Sequence, residues 1–427
     1  DNVAGIKAVS DDDDIIAISS DGIIIRLSVD EVNVQHRSAS GVKVKTLHRL
    51  VGGAVGDALG YVVEFESWPF IRNTYGDKGI IRYELAGNGK ALISDDTQMS
   101  LFTAAGILLG MTRGDLRGHM GRLDYYCSFT YQDWLHTQEW TSKNPDARTD
   151  SWLMDVPELY ARRAPGNTCI SALKAIENRQ MPQNNSCGCG GVMRTAPIAV
   201  ICALHGYAGG DYLYCDMVAA EAARQTHKHP LGFIPSAVLN DVLMQIFDGV
   251  HEEGISLKAM VKVAEGRLFS IVSEEDQGKT YGTLWPDEVA TMLRLLDKAI
   301  ELSETDMPDV EAIESIGGGW TGHEALAIAV YSALKHSDSF EDAIVSSVNH
   351  SGDSDSTGAI CGNIMGALLG RKAIPEYYTD NLELIDVIEE IAEDLFTGSI
   401  VSDYAPNDSP EEVRWLEKYV HFKRTLK

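Results

Sequence analysis

Positive charge is scarce in this 427-residue chain: 36 lysines and arginines face 63 aspartates and glutamates, a formal net charge of −27. That balance repels phosphate backbones and anionic lipid, and no basic stripe interrupts it, so neither a nucleic-acid nor a membrane partner is expected. Long hydrophobic runs are missing as well. The longest, such as Leu101–Met111, has core-helix length and falls short of the ~20 residues that span a bilayer. Cysteines number seven, odd and scattered, which suits a reducing compartment better than a disulfide framework. The start carries no charged segment followed by an apolar one, and a cytoplasmic protein is expected. What the chain does have is a 44% hydrophobic content, enough to bury a substantial core.

Two regions differ in period. In residues 1–46, "DDIIAISSDGIIIRLSVDEV" sets short β-branched runs around Ser-Asp-Gly, a hairpin signal, and "GVKVKTL" reads as a further strand. After residue 46 strand-like runs nearly vanish. Apolar residues recur every three or four positions in "HRLVGGAVGDALG", "TQMSLFTAAGILLGM", "DYLYCDMVAAEAARQTH", "PDEVATMLRLLDKAIELSE", "HEALAIAVYSALKH", "NLELIDVIEEIAEDLF" and "PEEVRWLEKYVHFKRTL". The last has Ser409 as N-cap, Pro410 at the first helical position and Glu412 completing a capping box. Residues 47–427 therefore read as one large all-α domain behind a small β segment.

Glycine repeats every fourth residue at Gly52, Gly56 and Gly60, and again at Gly358, Gly362, Gly366 and Gly370. Each glycine inside a helix costs roughly 1 kcal/mol relative to alanine, so two such stripes imply two backbones that must approach closely. The two faces are expected to pack on each other at the centre of the protein.

The chemistry gathers at loop-to-helix junctions. "GDSDSTG" offers Asp353, Asp355 and Ser356, and "ISDDTQM" offers Ser94, Asp95 and Asp96 in the same layout. Either triplet alone reads as helix capping. Together they supply carboxylates and hydroxyls suited to a pair of hard divalent cations, with no need for Cys or His. In "GDALGYVVEF" the helix is expected to end on Gly60, leaving Glu64 in a loop from which its carboxylate reaches over a site.

"GDALG-x-x-x-EF", "SDDTQM", "GCGGVMRTAPI", "THKHP" and "GDSDSTGAICG" stand in the order and spacing of the ADP-ribosylglycohydrolase family, which includes the dinitrogenase reductase-activating glycohydrolases. The chain resembles that family over roughly residues 48–372. The resemblance implies an orthogonal all-α bundle, a centre of two Mg²⁺ (sometimes Mn²⁺) ions, and release of ADP-ribose from modified protein side chains or small acceptors, arginine favoured. It implies Ser94, Asp95, Asp96, Asp353, Asp355 and Ser356 as metal ligands, Asp355 bridging, and Glu64 as a mobile glutamate near the scissile bond. Glu64, Asp95 and Asp353 share the candidacy for proton handling. Gly188, Gly190, Gly191, Met193 and Arg194 fall beside the diphosphate and distal ribose and His227 near the ligand; Gly56, Asp57, Gly352 and Ser354 complete the implied substrate-binding set. "GYVVEF" departs from the family's commoner Ala-Pro after the glycine, and "GCGG" from its Asn-Gly-Ser, which bears on substrate preference.

The opening "ISSDG" stretch with its "VQHRSASGV" sequel resembles one blade of the C-terminal β-pinwheel of the DNA gyrase A subunit. With five Lys/Arg against eight Asp/Glu in residues 1–46, DNA wrapping is not expected of it. Two rival functions remain at this level: an all-α Mg²⁺ nucleotide pyrophosphatase, and a non-catalytic ADP-ribose-binding or immunity protein. A zinc site at Cys187, Cys189, His227 and His229 is disfavoured by spacing. Tyr125, Tyr126, Trp134 and Trp140 read as packing aromatics sooner than as an adenine platform, and Trp320 is open to either role. A monomer or weak oligomer is expected.

Overall fold

The hairpin signal forms as read. In the computed structural model, which describes residues 14–18, 24–28, 50–139, 149–404 and 406–421, strand β1 (Asp14–Ile18) pairs antiparallel with β2 (Ile24–Ser28). The register runs from Asp14 opposite Ser28 to Ile18 opposite Ile24. The strand expected at residues 41–47 lies outside the described residues. By internal contacts the chain divides into two units, Asp1–Lys43 and Val44–Lys427.

The second unit is all-α apart from one short antiparallel strand pair, Val272–Ser273 with Lys279–Thr280. Its helices, in order, are α1 (residues 50–60), α2 (Trp68–Tyr75), α3 (Asp95–Asp115), α4 (Leu123–Glu139), α5 (Asn167–Glu177), α6 (Pro197–Leu204), α7 (Tyr212–Arg224) and α8 (Pro230–Phe247). They continue through α9 (Leu257–Leu268), α10 (Tyr281–Leu284), α11 (Pro286–Ser303), α12 (Asp309–Ile316), α13 (Gly322–Lys335), α14 (Phe340–Val348) and α15 (Ser354–Leu369). The chain closes with α16 (Glu376–Asn381), α17 (Ile385–Thr397) and α18 (Pro410–Tyr419).

Helices that are apolar all round are the ones surrounded by others. α8 is buried along its whole length and packs on α6, α7, α9 and α13. Among the described residues it is the one helix long and apolar enough to cross a membrane, a length the sequence reading did not attribute to any segment, and here it forms core. α11, α17 and α18 are instead amphipathic, each burying one stripe. The capping box at Ser409, Pro410 and Glu412 starts α18 as the sequence indicates.

The glycine stripes meet. A Cβ on Gly56 would lie 2.0 Å from the Gly358 carbonyl oxygen, one on Gly362 2.0 Å from that of Gly52, and one on Gly60 2.2 Å from that of Ser354. Positions that rise along α1 meet positions that fall along α15, so the two helices cross antiparallel with their backbones in contact. The α-helix ends on Gly60 as the sequence indicates, with φ −75°, and the chain tightens directly into a 3₁₀ turn, Tyr61–Val63. Close approach, not chain reversal, is why glycine stands there.

Two alanine substitutions separate these effects. Gly56→Ala should lower the thermal midpoint by the equivalent of about 1–3 kcal/mol, the usual range for overpacking. Gly266→Ala, in α9 where a Cβ meets nothing within 4 Å, should raise it by about 0.5–1 kcal/mol. Calorimetry on both proteins checks the pair of signs.

Candidate active site

Both acidic triplets begin helices. Ser94 caps α3, accepting from the Asp96 N–H at 3.1 Å, and Asp353 caps α15, accepting from the Ser356 N–H at 3.4 Å. The capping reading and the site reading are thus both realised, because the helix N-termini also aim the neighbouring carboxylates at one cavity of about 710 Å³. Its wall includes Glu64, Asp95, Asp96, Asp353, Asp355 and Ser356. Carboxylate oxygens of Glu64, Asp353 and Asp355 lie within 4.8 Å of one another, all three residues buried.

Glu64 follows the 3₁₀ turn after α1, and Gly60, against Ser354 and Asp355, sets its distance from the acidic tip of α15. Contrary to the expectation of a glutamate poised in an open loop, it is only 7% exposed. Phe65, next to it, is 71% exposed and stacks on Trp320 with ring centroids 5.6 Å apart. Burial first, then the charges of Asp353, Asp95 and Asp57, push the Glu64 carboxyl up to about 9. Burial likewise holds Asp95, Asp96 and Asp355 well above the ordinary carboxylate range, with neighbouring acids adding to the effect.

A backbone ladder ties the glycine-rich loop to the acidic loop. Cys189 N–H donates to Trp320 O at 3.2 Å, Gly322 N–H to Cys187 O at 2.8 Å, and Asp353 N–H to Gly318 O at 2.9 Å. Gly188, Cys189, Gly190 and Met193 therefore line the cavity together with His227. The His227 ring is 2% exposed, its Nδ1 lies 2.9 Å from Thr226 Oγ1, and burial followed by the Arg194 charge lowers its pKa to about 3.

Several motif residues stand behind the wall. Asp57 accepts from the Ser94 and Thr97 N–H groups, each at 3.1 Å, and from the Thr97 hydroxyl, fixing the first turn of α3. Arg194 is fully buried, bonded to Thr226 Oγ1 at 2.7 Å and lying 4.4 Å above the Tyr131 ring. Gly56, Gly191 and Gly352 serve backbone contacts, with Gly358, Gly232 and Gly318 respectively. Ser354 turns its hydroxyl to Gly352 O at 3.3 Å. None of these residues, nor Ser94, lies on the cavity wall.

Sequence patterning did not single out Arg162, Ala164 and Pro165–Cys169, which complete the wall. The signal available was the Pro-Gly turn between two helical segments. Ala164 has φ 52°, the left-handed region. The loop is anchored where the Asp95 N–H donates to Arg163 O at 3.1 Å and the Gly166 N–H to Asp95 Oδ2 at 3.4 Å. Of the aromatics considered for stacking, Trp320 lies on the cavity wall, Trp134 is buried with its Nε1 donating to Gln98 Oε1 at 3.2 Å, Tyr125 and Tyr126 are absent from the wall, and Trp140 lies outside the described residues. Among the described residues, no histidine or cysteine joins a potential metal-holding group.

Relatives agree with this architecture. The chain is 25% identical to an ADP-ribosylhydrolase of Dictyostelium discoideum over 80% of its own length and 91% of that protein's. It is 24% identical to the ADP-ribosyl-[dinitrogen reductase] glycohydrolase of Rhodospirillum rubrum over 80% and 90%. A solved structure, of an ADP-ribosylglycohydrolase-related protein complex, shares the fold at a TM-score of 0.56 and 22% identity, covering 84% of this chain and 100% of its own. Residues 13–52 match the β-propeller C-terminal domain of DNA gyrase, the blade resemblance read from the sequence. Residues 40–404 match the ADP-ribosylglycohydrolase family, and to that family the chain belongs.

Proposed function

We propose that this chain hydrolyses the glycosidic bond between ADP-ribose and a modified side chain, arginine foremost, and that two divalent cations, Mg²⁺ with Mn²⁺ as the alternative, serve the site. The observation that carries the reading is the convergence of the buried Glu64, Asp353 and Asp355 carboxylates within 4.8 Å. Acids do not share a buried point unless something offsets their charge. The donor set fits a hard cation: it is all oxygen, and Asp353 Oδ2 has no hydrogen-bond partner. Asp95, Asp96, Asp353, Asp355 and Ser356 would hold the ions, with Ser94 and Asp57 fixing the first turn of α3 behind them. Bound there, such ions orient ribose hydroxyls and lower the pKa of a water.

The chain's own groups supply the rest. Asp95 and Asp353 each accept a backbone N–H and so are held in one orientation, while Glu64 keeps a free oxygen beside the exposed Phe65. Glu64 is the carboxylate positioned to deliver a proton to the leaving group as the anomeric carbon acquires positive charge. Gly188 and Gly190 leave room at the wall where a Cβ would come within 3.3 Å of the His227 ring, which lets a diphosphate approach the backbone. A reducing, cytoplasmic setting belongs to this reading and is supported by seven free cysteines.

Incubation of ADP-ribosyl-arginine peptide with the protein and Mg²⁺ should release intact ADP-ribose, and chelation should stop it. AMP in the chromatogram would point to a pyrophosphatase instead. Asp355→Ala should lower turnover by roughly 10²-fold or more. In chelator, Asp355→Asn should melt higher than the parent protein because one repelling carboxylate is gone; it should also lose most of the rise in midpoint that added Mg²⁺ gives the parent through binding.

A further inference from the structure

A second, much smaller cavity of about 10 Å³ lies behind the acidic wall, bordered by Gly53 and Ala54 of α1, Asp96 and Ser100 of α3, and Asn363 of α15. Its volume corresponds to the room one water molecule needs. Asp96 borders both this cavity and the large one. Asp96 Oδ2 and Asn363 Oδ1 have no hydrogen-bond partner, although each residue is only 3% exposed.

The orientation of the Asn363 amide is fixed by its surroundings. Its Nδ2 donates to Ala359 O at 2.8 Å, one turn back in the helix, and so Oδ1 is left as the free end. Gly53 makes the space: a Cβ there would lie 2.6 Å from Asn363 Nδ2. Two acceptors cannot satisfy each other, and a water, with two O–H donors, satisfies both. Ser100 borders the same space, and its hydroxyl, 3.4 Å from Met193 O, provides a further polar neighbour.

We propose that this cavity holds one ordered water donating to Asp96 Oδ2 and Asn363 Oδ1, which makes Asn363 a positioning residue for the Asp96 carboxylate. The consequence for the large site rests on the metal reading above. A carboxylate whose rear oxygen is held by water cannot rotate freely, and so its other oxygen meets a cation already aimed. Partners behind metal ligands typically change affinity by about 10- to 100-fold.

The test has two parts. A high-resolution crystal structure of the wild-type protein should show one solvent peak within hydrogen-bond distance of both Asp96 Oδ2 and Asn363 Oδ1. Absence of a peak, or a peak with the several short oxygen contacts of a monovalent cation, overturns the proposal. In calorimetric titration with Mn²⁺, Asn363→Leu should bind about 10-fold more weakly. Asn363→Ser, which keeps an acceptor and leaves room for added water, should recover most of that loss. Asn363→Leu protein that melts lower but binds Mn²⁺ as the parent does would reduce Asn363 to a packing role and overturn the proposal. If Asn363→Leu does not fold, the wild-type density decides. Wild-type protein that binds no Mn²⁺ at all would end the metal reading, whereas the solvent peak reports on the water independently.

Discussion

Four residues after Gly60, whose missing side chain lets α1 lie on the Ser354 carbonyl, stands Glu64, whose carboxylate meets those of Asp353 and Asp355. The crossing of α1 and α15 is therefore a constraint on chemistry as well as on packing. Were the helices separated by the ordinary 8–10 Å of side-chain-mediated contact, Glu64 would stand away from the tip of α15 and the acids would not converge. Glycine weakens each helix locally by roughly 1 kcal/mol per position, and the close crossing is what that expenditure obtains. The same contact extends to Asp96, because Gly53 makes room for the Asn363 amide behind it.

Placement of several buried acids at one point opposes folding. Burial, and after it their neighbours, raise the pKa of each, and among the described residues no buried cation faces them at the cavity wall; Arg162, the wall's arginine, is exposed. The rest of the domain compensates with a continuous apolar core through α6, α7, α8 and α13. On the proposed reading, bound ions would offset that cost and contribute both stability and reactivity.

Much of this was legible in the chain. The β-hairpin signal, the glycine stripes, the capping box of α18 and the acid triplets each carry a local physical signature, and each appears in the structure. Orientation was less legible. Ser354 sits between two wall acids yet turns away, because successive residues of a helix point about 100° apart. Arg194 and Asp57 belong to the motifs but brace the wall from behind, a distinction set by tertiary contacts with Thr226, Ser94 and Thr97. The 162–169 wall comes from the first turn of α5 and the loop before it, whose position depends on Asp95, far away in sequence, and the loop's own pattern shows only a turn. The length of α8 also escaped, since Gly232, Pro235 and the polar Ser236, Asn240, Asp241 and Gln245 interrupt its apolar pattern.

The central claim is that the two acidic helix tips form one cation-binding centre beside Glu64. Anomalous diffraction from crystals equilibrated with Mn²⁺ tests it most directly. The account predicts two strong peaks a few ångströms apart, bounded by Asp95, Asp96, Asp353 and Asp355. Peaks confined to surface acids, with that point of convergence left unlabelled at saturating Mn²⁺, would contradict it.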